Sequence, residues 1–276
     1  MALRPIIAVG MIVVLIVGFA IGLVAAPLLM PQSTAADPVW DSIVASGKIT
    51  IGTDPSWPPY ESLDSNNNIV GFEIDLAAAI AAKLGLTLET RSVIFDNIIS
   101  SVRDKSLDMG VSGFSVTPDR LEQVAFTIPH SITKAQVIMT QSKKDALGIA
   151  MLDSLSDLKN LGLTVGTQTG TTEEDELIGA GVSHKSFTDY GTAIQDMMSA
   201  NPSVDCVYAE TPITTSWIAQ YEAQGKAISV IYEAPYYPCA FVVNKDARIF
   251  LAKVDGAIAE IIKSGEMDAL KAKWNA

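Results

Sequence analysis

Leu107-Asp108-Met109-Gly110-Val111-Ser112-Gly113-Phe114-Ser115-Val116-Thr117-Pro118-Asp119-Arg120 passes from an apolar, strand-like run through a short polar loop into a helix start. Thr117 suits an N-cap, and Pro118 suits the first helical position, where a missing amide hydrogen costs nothing. Arg120 then falls in the first turn, against the positive end of the helix dipole. A guanidinium placed there, beside the hydroxyl of Ser115 and the flexible Gly113, points to an anion held by two parallel hydrogen bonds. Backbone amides of the loop and Ser115 would supply the remaining donors. The same stretch also reads as a surface arginine paired with Glu122 or Asp119.

Working outward from this segment, strands alternate with helices. Residues 49–52 read as a strand. Residues 71–84 read as an amphipathic helix with Ile74, Ala77, Ile80 and Leu84 on one face. A strand over 86–93, a helix over 96–105 carrying Ile98, Ile99 and Val102, and a strand over 107–111 complete a doubly wound α/β unit. A second unit follows over 163–166, 171–178, 190–199 and 204–208, with Ala193, Ile194 and Met197 inward. The two units echo each other. Ile49-Thr50-Ile51-Gly52-Thr53 resembles Leu163-Thr164-Val165-Gly166-Thr167, and Asp108 with Thr117-Pro118 has its counterpart in Asp205 with Thr211-Pro212.

Ligands of open α/β sheets lie beyond the carboxyl ends of the strands, so two such lobes facing each other place both sets of loops in one cleft. Residues 131–139 and 232–242 are the expected crossovers between lobes. The expected fold class is therefore α/β, two doubly wound α/β lobes joined by two crossover strands. Residues 248–264 read as a long helix with Phe250, Val254, Ile258 and Ile261 in register, and Met267, Leu270 and Trp274 fit a last docking helix. The expected organisation is a hydrophobic segment over 1–36, a linker over 37–47, lobe one over 48–135 plus 237–276, and lobe two over 136–236.

The hydrophobic segment over 1–36 has Arg4 as its one charged side chain. Its apolar run over 6–26 exceeds the ~7–15-residue core of a signal peptide and reaches the ~20 residues that span a bilayer. It reads as a signal peptide cleaved after Thr34-Ala35-Ala36 or as an uncleaved N-terminal anchor. Either way Arg4 marks the cytoplasmic side and the body lies outside the cytoplasm. No cysteine follows the run, which excludes a lipid-modified N-terminal cysteine.

With 31 acidic against 19 basic residues the formal net charge is −12, which argues against nucleic acid or an anionic membrane surface as partner. Cys206 and Cys239 each sit in an apolar run and read as buried free thiols in preference to a disulfide. His130 and His184 are too few for a histidine metal site. No Walker loop, dinucleotide fingerprint, zinc-protease motif or nucleophile elbow is present, so no metal and no cofactor is expected.

Four motifs in order carry a family resemblance: Gly52-Thr53-Asp54-Pro55 with Pro58-Pro59-Tyr60-Glu61, Val70-Gly71-Phe72-Glu73-Ile74-Asp75-Leu76, Thr117-Pro118-Asp119-Arg120, and Gly170-Thr171-Thr172. Over residues 48–274 the chain resembles a family 3 extracellular solute-binding protein of a polar amino acid ABC transporter. That resemblance implies a periplasmic binding protein-like clamp, a monomer that captures a small-molecule ligand and delivers it to a membrane permease. It implies that Arg120 holds the ligand α-carboxylate with Ser115 and backbone groups near Gly113, and that Thr171 and Thr172 close over the same group.

Glu210 matches the position where the family usually holds the α-ammonium with an aspartate, a departure of one methylene. Asp54, Trp57, Tyr60 and Phe95 match positions that sandwich the ligand side chain, with core packing as the alternative for Tyr60. The Tyr237-Pro238-Cys239-Ala240 stretch departs from the family's Tyr-Gly-Ile-Ala and stiffens the crossover. Two other classes stay open: an enzyme resembling cyclohexadienyl dehydratases with Glu210 as general acid, and a ligand-sensing module acting through a separate partner. Asp54 and Trp57 close together favour a cationic or amide side chain on the ligand, unless Asp54 only caps the turn at Pro55.

Overall fold

The computed structural model describes residues 37–276. The signal-peptide or anchor reading of residues 1–36 therefore lies outside the described residues. The expected linker over 37–47 is instead mostly helix α1 (Pro38–Ser46). Asp37 caps it by accepting the Trp40 amide at 3.0 Å, Pro38 fills the first turn, and Val39 and Ile43 bury one face. Two apolar residues four apart behind an Asp-Pro start are enough for a short helix once a core is there to receive them.

Lobe one continues with β1 (Lys48–Thr53), the short strands β2 (Ser56–Trp57), β3 (Glu61–Leu63) and β4 (Ile69–Val70), and helix α2 (Phe72–Lys83). Then come β5 (Thr87–Ser92), α3 (Phe95–Arg103), β6 (Met109–Gly110), α4 (Pro118–Leu121) and β7 (Ala125–Phe126). The chain crosses along β8 (Ser131–Thr140) into lobe two, which holds α5 (Gln141–Leu147), α6 (Leu155–Asn160), β9 (Val165–Gln168) and α7 (Thr172–Ala180). It goes on through β10 (His184–Phe187), α8 (Tyr190–Met197), β11 (Cys206–Glu210) and α9 (Thr211–Glu222). Strand β12 (Ile228–Cys239) returns, and β13 (Val242–Val243), α10 (Arg248–Ser264) and α11 (Glu266–Trp274) complete lobe one.

Each lobe is built on a five-stranded sheet, in the orders β5-β1-β6-β13-β7 and β10-β9-β11-β8-β12. The first three strands of each run parallel and the last two join antiparallel. The echo in the sequence is an echo in space. Asp108 accepts the Thr50 amide at 2.8 Å where β6 enters beside β1, and Asp205 accepts the Thr164 amide at 2.6 Å where β11 enters beside β9. In both lobes a carboxylate pins the start of the third strand to the start of the first. The Thr-Pro echo is looser. Thr117 caps α4, whereas Glu210 is the N-cap of α9, and the Thr211 hydroxyl donates to the Lys134 carbonyl instead.

The crossovers β8 and β12 pair antiparallel over nearly their whole length, with Cys239 opposite Ser131 and Tyr237 opposite Thr133. The lobe-one end of β12 is fastened to the loop before Arg120. The Val116 amide donates to the Pro238 carbonyl and the Ala240 amide to the Phe114 carbonyl. Helices α2 and α10 supply Phe72, Leu76, Ile80, Phe250, Val254, Ile258 and Ile261 to the core over Ile49 and Ile51. Trp274 of α11 docks by donating its indole N–H to Asp75 at 2.6 Å. Cys206 and Cys239 are buried and unpaired.

Asp37 also clamps a second helix, its Oδ2 accepting the Ile249 and Phe250 amides of α10 at 2.7 and 3.2 Å. Asp37→Ala strips three first-turn amides of their acceptor and is expected to lower stability by about 2 kcal/mol. Urea unfolding should show a lower midpoint with an unchanged slope.

Candidate functional site

The two sheets end on a common cleft. Asp54 follows the end of β1, Gln168 ends β9, and Glu210 stands where β11 turns into α9. Asp54, Trp57, Phe95, Gly113, Ser115, Arg120, Thr171, Thr172 and Glu210, all expected from the sequence, line it. Tyr60 does not. Its ring lies behind Trp57 at 4.3 Å and edge-on to Phe72 at 5.4 Å, so core packing claims it and it faces a separate groove at the crossover side.

Arg120 is buried, and among the described residues it forms no salt bridge to Glu122, Asp119 or any other acid. Its Nη1 donates to the Ser115 carbonyl of lobe one and its Nη2 to the Gly170 carbonyl of lobe two, each at 3.1 Å. The guanidinium carbon lies 5.6 Å from the ring centres of both Phe95 and Phe114. Burial pulls its pKa down, opposed by the field of Glu173 and Glu210 across the cleft. Across from it, the Thr171 side chain accepts the Glu174 amide at 3.3 Å. That leaves the Thr172 amide at the N-terminus of α7 without an intrahelical acceptor, while the Glu173 amide is turned to its own carboxylate. A guanidinium facing a helix N-terminus is chemically suited to hold a carboxylate.

Gly113 contributes by shape rather than by its N–H. It has φ +59°, and a Cβ there would lie 2.3 Å from the Trp57 ring, so only glycine lets the indole lie over this loop. Its amide already donates to Glu73 Oε2 at 3.0 Å, and Glu73 Oε1 is 2.8 Å from His130 Nε2. Gly170 is the other close approach, with φ +77° and a hypothetical Cβ 2.5 Å from Asp96 of α3, which brings lobe two against lobe one.

Four carboxyls line the cleft: Asp54, Glu61, Glu173 and Glu210. Glu210 Oε1 accepts from Thr133 at 3.0 Å and Ser115 at 3.3 Å, and burial, then the nearby Glu173, pushes its pKa well up. Glu61 Oε1 accepts from Ser112 at 2.9 Å while its Oε2 is buried without a partner, as is Trp57 Nε1. Burial raises the Glu61 pKa strongly, with Glu73 adding to it. Asp54 Oδ2 accepts from the Phe95 amide at 3.2 Å and from Gln168 Nε2 at 2.9 Å. Burial raises it as well, against those hydrogen bonds. Asp54 thus caps α3 and not merely the turn at Pro55.

Glu61, Gln168 and Glu173 also line the cleft, and sequence motifs alone do not single them out. Glu61 stands inside the Pro58-Pro59-Tyr60-Glu61 motif, yet glutamate beside a strand is ordinarily a solvated side chain. Gln168 has a usable signal, since aligning the two echoes places it at the position of Asp54. Glu173 follows Gly170-Thr171-Thr172 directly, but an acid in a first helical turn is explained by the helix dipole alone.

Glu173 Oε2 accepts from the Tyr190 hydroxyl at 2.8 Å, and burial pushes its pKa up to about 7. A carboxyl whose folded pKa exceeds its unfolded value binds more protons when folded, so its stabilisation is complete below about 4.5 and is lost as pH rises towards about 7. The ligand-free protein should lose stability across that window, by at most about 1.4 kcal/mol for each tenfold gain in proton affinity on folding. Glu173→Gln should flatten the slope in urea unfolding at successive pH values, leaving the part due to Glu61 and Glu210.

A buried cation opposite a helix N-terminus, in a cleft between two α/β lobes hung on paired crossover strands, defines a ligand-binding clamp. Residues 49–276 match the model of the bacterial extracellular solute-binding proteins, family 3, and the chain belongs to that family. It is 30% identical over 234 residues to the ABC transporter arginine-binding protein 1 of Escherichia coli (strain K12), covering 83% of this chain and 91% of the relative. Among solved structures it resembles an ancestral arginine-binding protein bound to arginine, at TM-score 0.73 and 30% identity, with 83% of this chain and 99% of that chain covered. It also resembles an ancestral amino acid-binding protein that is a precursor of cyclohexadienyl dehydratase, at TM-score 0.73 and 26% identity, covering 85% and 98%.

Proposed function

We propose that the protein captures a cationic α-amino acid of the arginine class outside the cytoplasm and delivers it to an ABC permease in the membrane. The observation that carries this reading is the charge balance of the cleft, four carboxyls against the one guanidinium of Arg120. A neutral zwitterion would leave that surplus of acid in place. A second positive charge on the side chain offsets it, with Asp54 and Glu61 as the acids beside Trp57.

In this assignment Arg120 and the Thr172 amide hold the α-carboxylate, and Glu210 with Ser115 holds the α-ammonium. Micromolar affinity requires about 8 kcal/mol net, a scale that charge-assisted hydrogen bonds at both ends of a desolvated zwitterion can supply. The sequence relatives named for arginine support the same class. The long glutamate at 210 places its carboxylate deeper than an aspartate would, within reach of Thr133 on the crossover strand.

Calorimetric competition among arginine, lysine, histidine, glutamine, glutamate and leucine should give tightest binding to arginine or lysine. Glutamate or leucine binding best would overturn the reading. Arg120→Ala should abolish binding while leaving the fold intact. Cation binding favours ionised Asp54 and Glu61, both raised by burial, so affinity should weaken as pH falls, with protons released on binding.

One observation favours a second reading, an enzyme. Glu173 is a buried carboxyl in a closed cleft, poised near neutral pH beside Tyr190, and so is suited to proton donation. Glu210, the general-acid candidate that the sequence offers, shares the burial. The transport reading requires that no aromatic product forms from prephenate or arogenate. Product that disappears in Glu173→Gln or Glu210→Gln would establish a dehydratase instead.

A further inference from the structure

Gln168 joins the two lobes and leaves one polar atom uncommitted. Its Nε2 donates to Asp54 Oδ2 in lobe one at 2.9 Å and to the Thr188 carbonyl in lobe two at 3.1 Å. A carboxylate and a carbonyl can only accept, so the carboxamide nitrogen must face both, and its two hydrogens are used. The oxygen therefore points away from both partners, and it accepts no hydrogen bond among the described residues. The side chain is 4% exposed and lines the cleft between Asp54 and the start of α7.

Two further side-chain atoms lining the cleft, Glu61 Oε2 and Trp57 Nε1, are buried without a hydrogen-bond partner among the described residues. A guanidinium offers five N–H donors and no acceptor, whereas a carboxamide brings an oxygen for every pair of donors.

We propose that Gln168 couples closure of the clamp to selection of the ligand side chain: its N–H pair latches lobe two to Asp54, and the oxygen oriented by that latch accepts from a donor-only side chain. This rests on the cationic amino acid reading above. The latch exists only when the lobes meet, so the acceptor is presented only in the closed form. A ligand that uses it stabilises closure, and one that cannot use it does not.

Gln168→Met keeps the length of the side chain and removes both functions. Small-angle scattering of the ligand-free protein should show a larger radius of gyration for Gln168→Met than for the parent. In calorimetry its preference for arginine over glutamine should fall about tenfold, the scale of one hydrogen bond to a charged group. Gln168→Asn keeps the carboxamide but withdraws it by one methylene. It should show the same two changes, and it serves as the test if the methionine variant does not fold. A folded variant with the parent's ligand-free scattering, or with the parent's arginine-to-glutamine ratio, overturns the role of Gln168 alone. A parent that binds no cationic amino acid overturns the functional reading and the selection role with it.

Discussion

Arg120 is a cation taken out of water without a direct ionic partner, and the rest of the cleft is arranged around that burden. Removing a guanidinium from solvent is unfavourable unless its hydrogen bonds and charge are answered nearby. Here two carbonyls answer the hydrogen bonds, one from each lobe, and Phe95 and Phe114 cover its faces. Its charge is answered only at a distance, by Glu173 and Glu210 across the cleft. Those acids are themselves pushed towards the neutral form by burial. In the assignment proposed above, a zwitterionic ligand would relieve both sides together, its carboxylate meeting Arg120 and its ammonium making ionisation of Glu210 favourable. Selectivity for an α-amino acid would then follow from electrostatics that the protein alone leaves uncompensated.

The two lobes solve their folding problem by the same device and diverge where they meet. Asp108 on Thr50 and Asp205 on Thr164 fix the third strand against the first in each sheet. Four residues beyond those threonines the chain leaves the strand, and the equivalent positions hold Asp54 in one lobe and Gln168 in the other. An acid facing an acid there would hold the lobes apart by like-charge repulsion. An acid facing a carboxamide makes the hydrogen bond that is found.

What the sequence made legible was whatever depended on local rules. Strand and helix alternation, the capping of α4 by Thr117, the span of α10, and the docking of Trp274 each rest on spacing or on a cap, and each is found where spacing puts it. Arg120 was legible because it broke a local rule, standing in a first helical turn where a cation is disfavoured. Glu173 was illegible for the converse reason, since it obeys that rule and only its burial against Tyr190 reveals a second role. Tyr60 was left between cleft and core because a residue three after Trp57 can face the cleft or its back wall, and the choice is made by Phe72 from helix α2. The helix over Pro38–Ser46 was missed because its helicity depends on the core that receives Val39 and Ile43.

Closure and ligand chemistry meet at Glu210. Among the hydrogen bonds that span the lobes, Arg120 to Gly170, Gln168 to Asp54, and Ser115 to Glu210 each involve a residue that also lines the cleft. The Glu210 carboxylate takes a further bond from Thr133 on β8, whose hydroxyl lies 3.2 Å from Cys239 on β12. The crossover strands β8 and β12 are therefore one and two hydrogen-bonded steps from the group assigned to the ligand ammonium. A change in the protonation of Glu210 alters what Thr133 and Ser115 must satisfy, one on the crossover and one on the loop before Arg120. Because buried polar networks are strained when partly satisfied, the arrangement that completes the bonds at Glu210 is also the one that holds the strands and the loop in their closed positions. On the proposed reading, an ammonium at Glu210 would drive closure by completing a network whose other members, Thr133 and Ser115, lie on β8 and on the loop before Arg120.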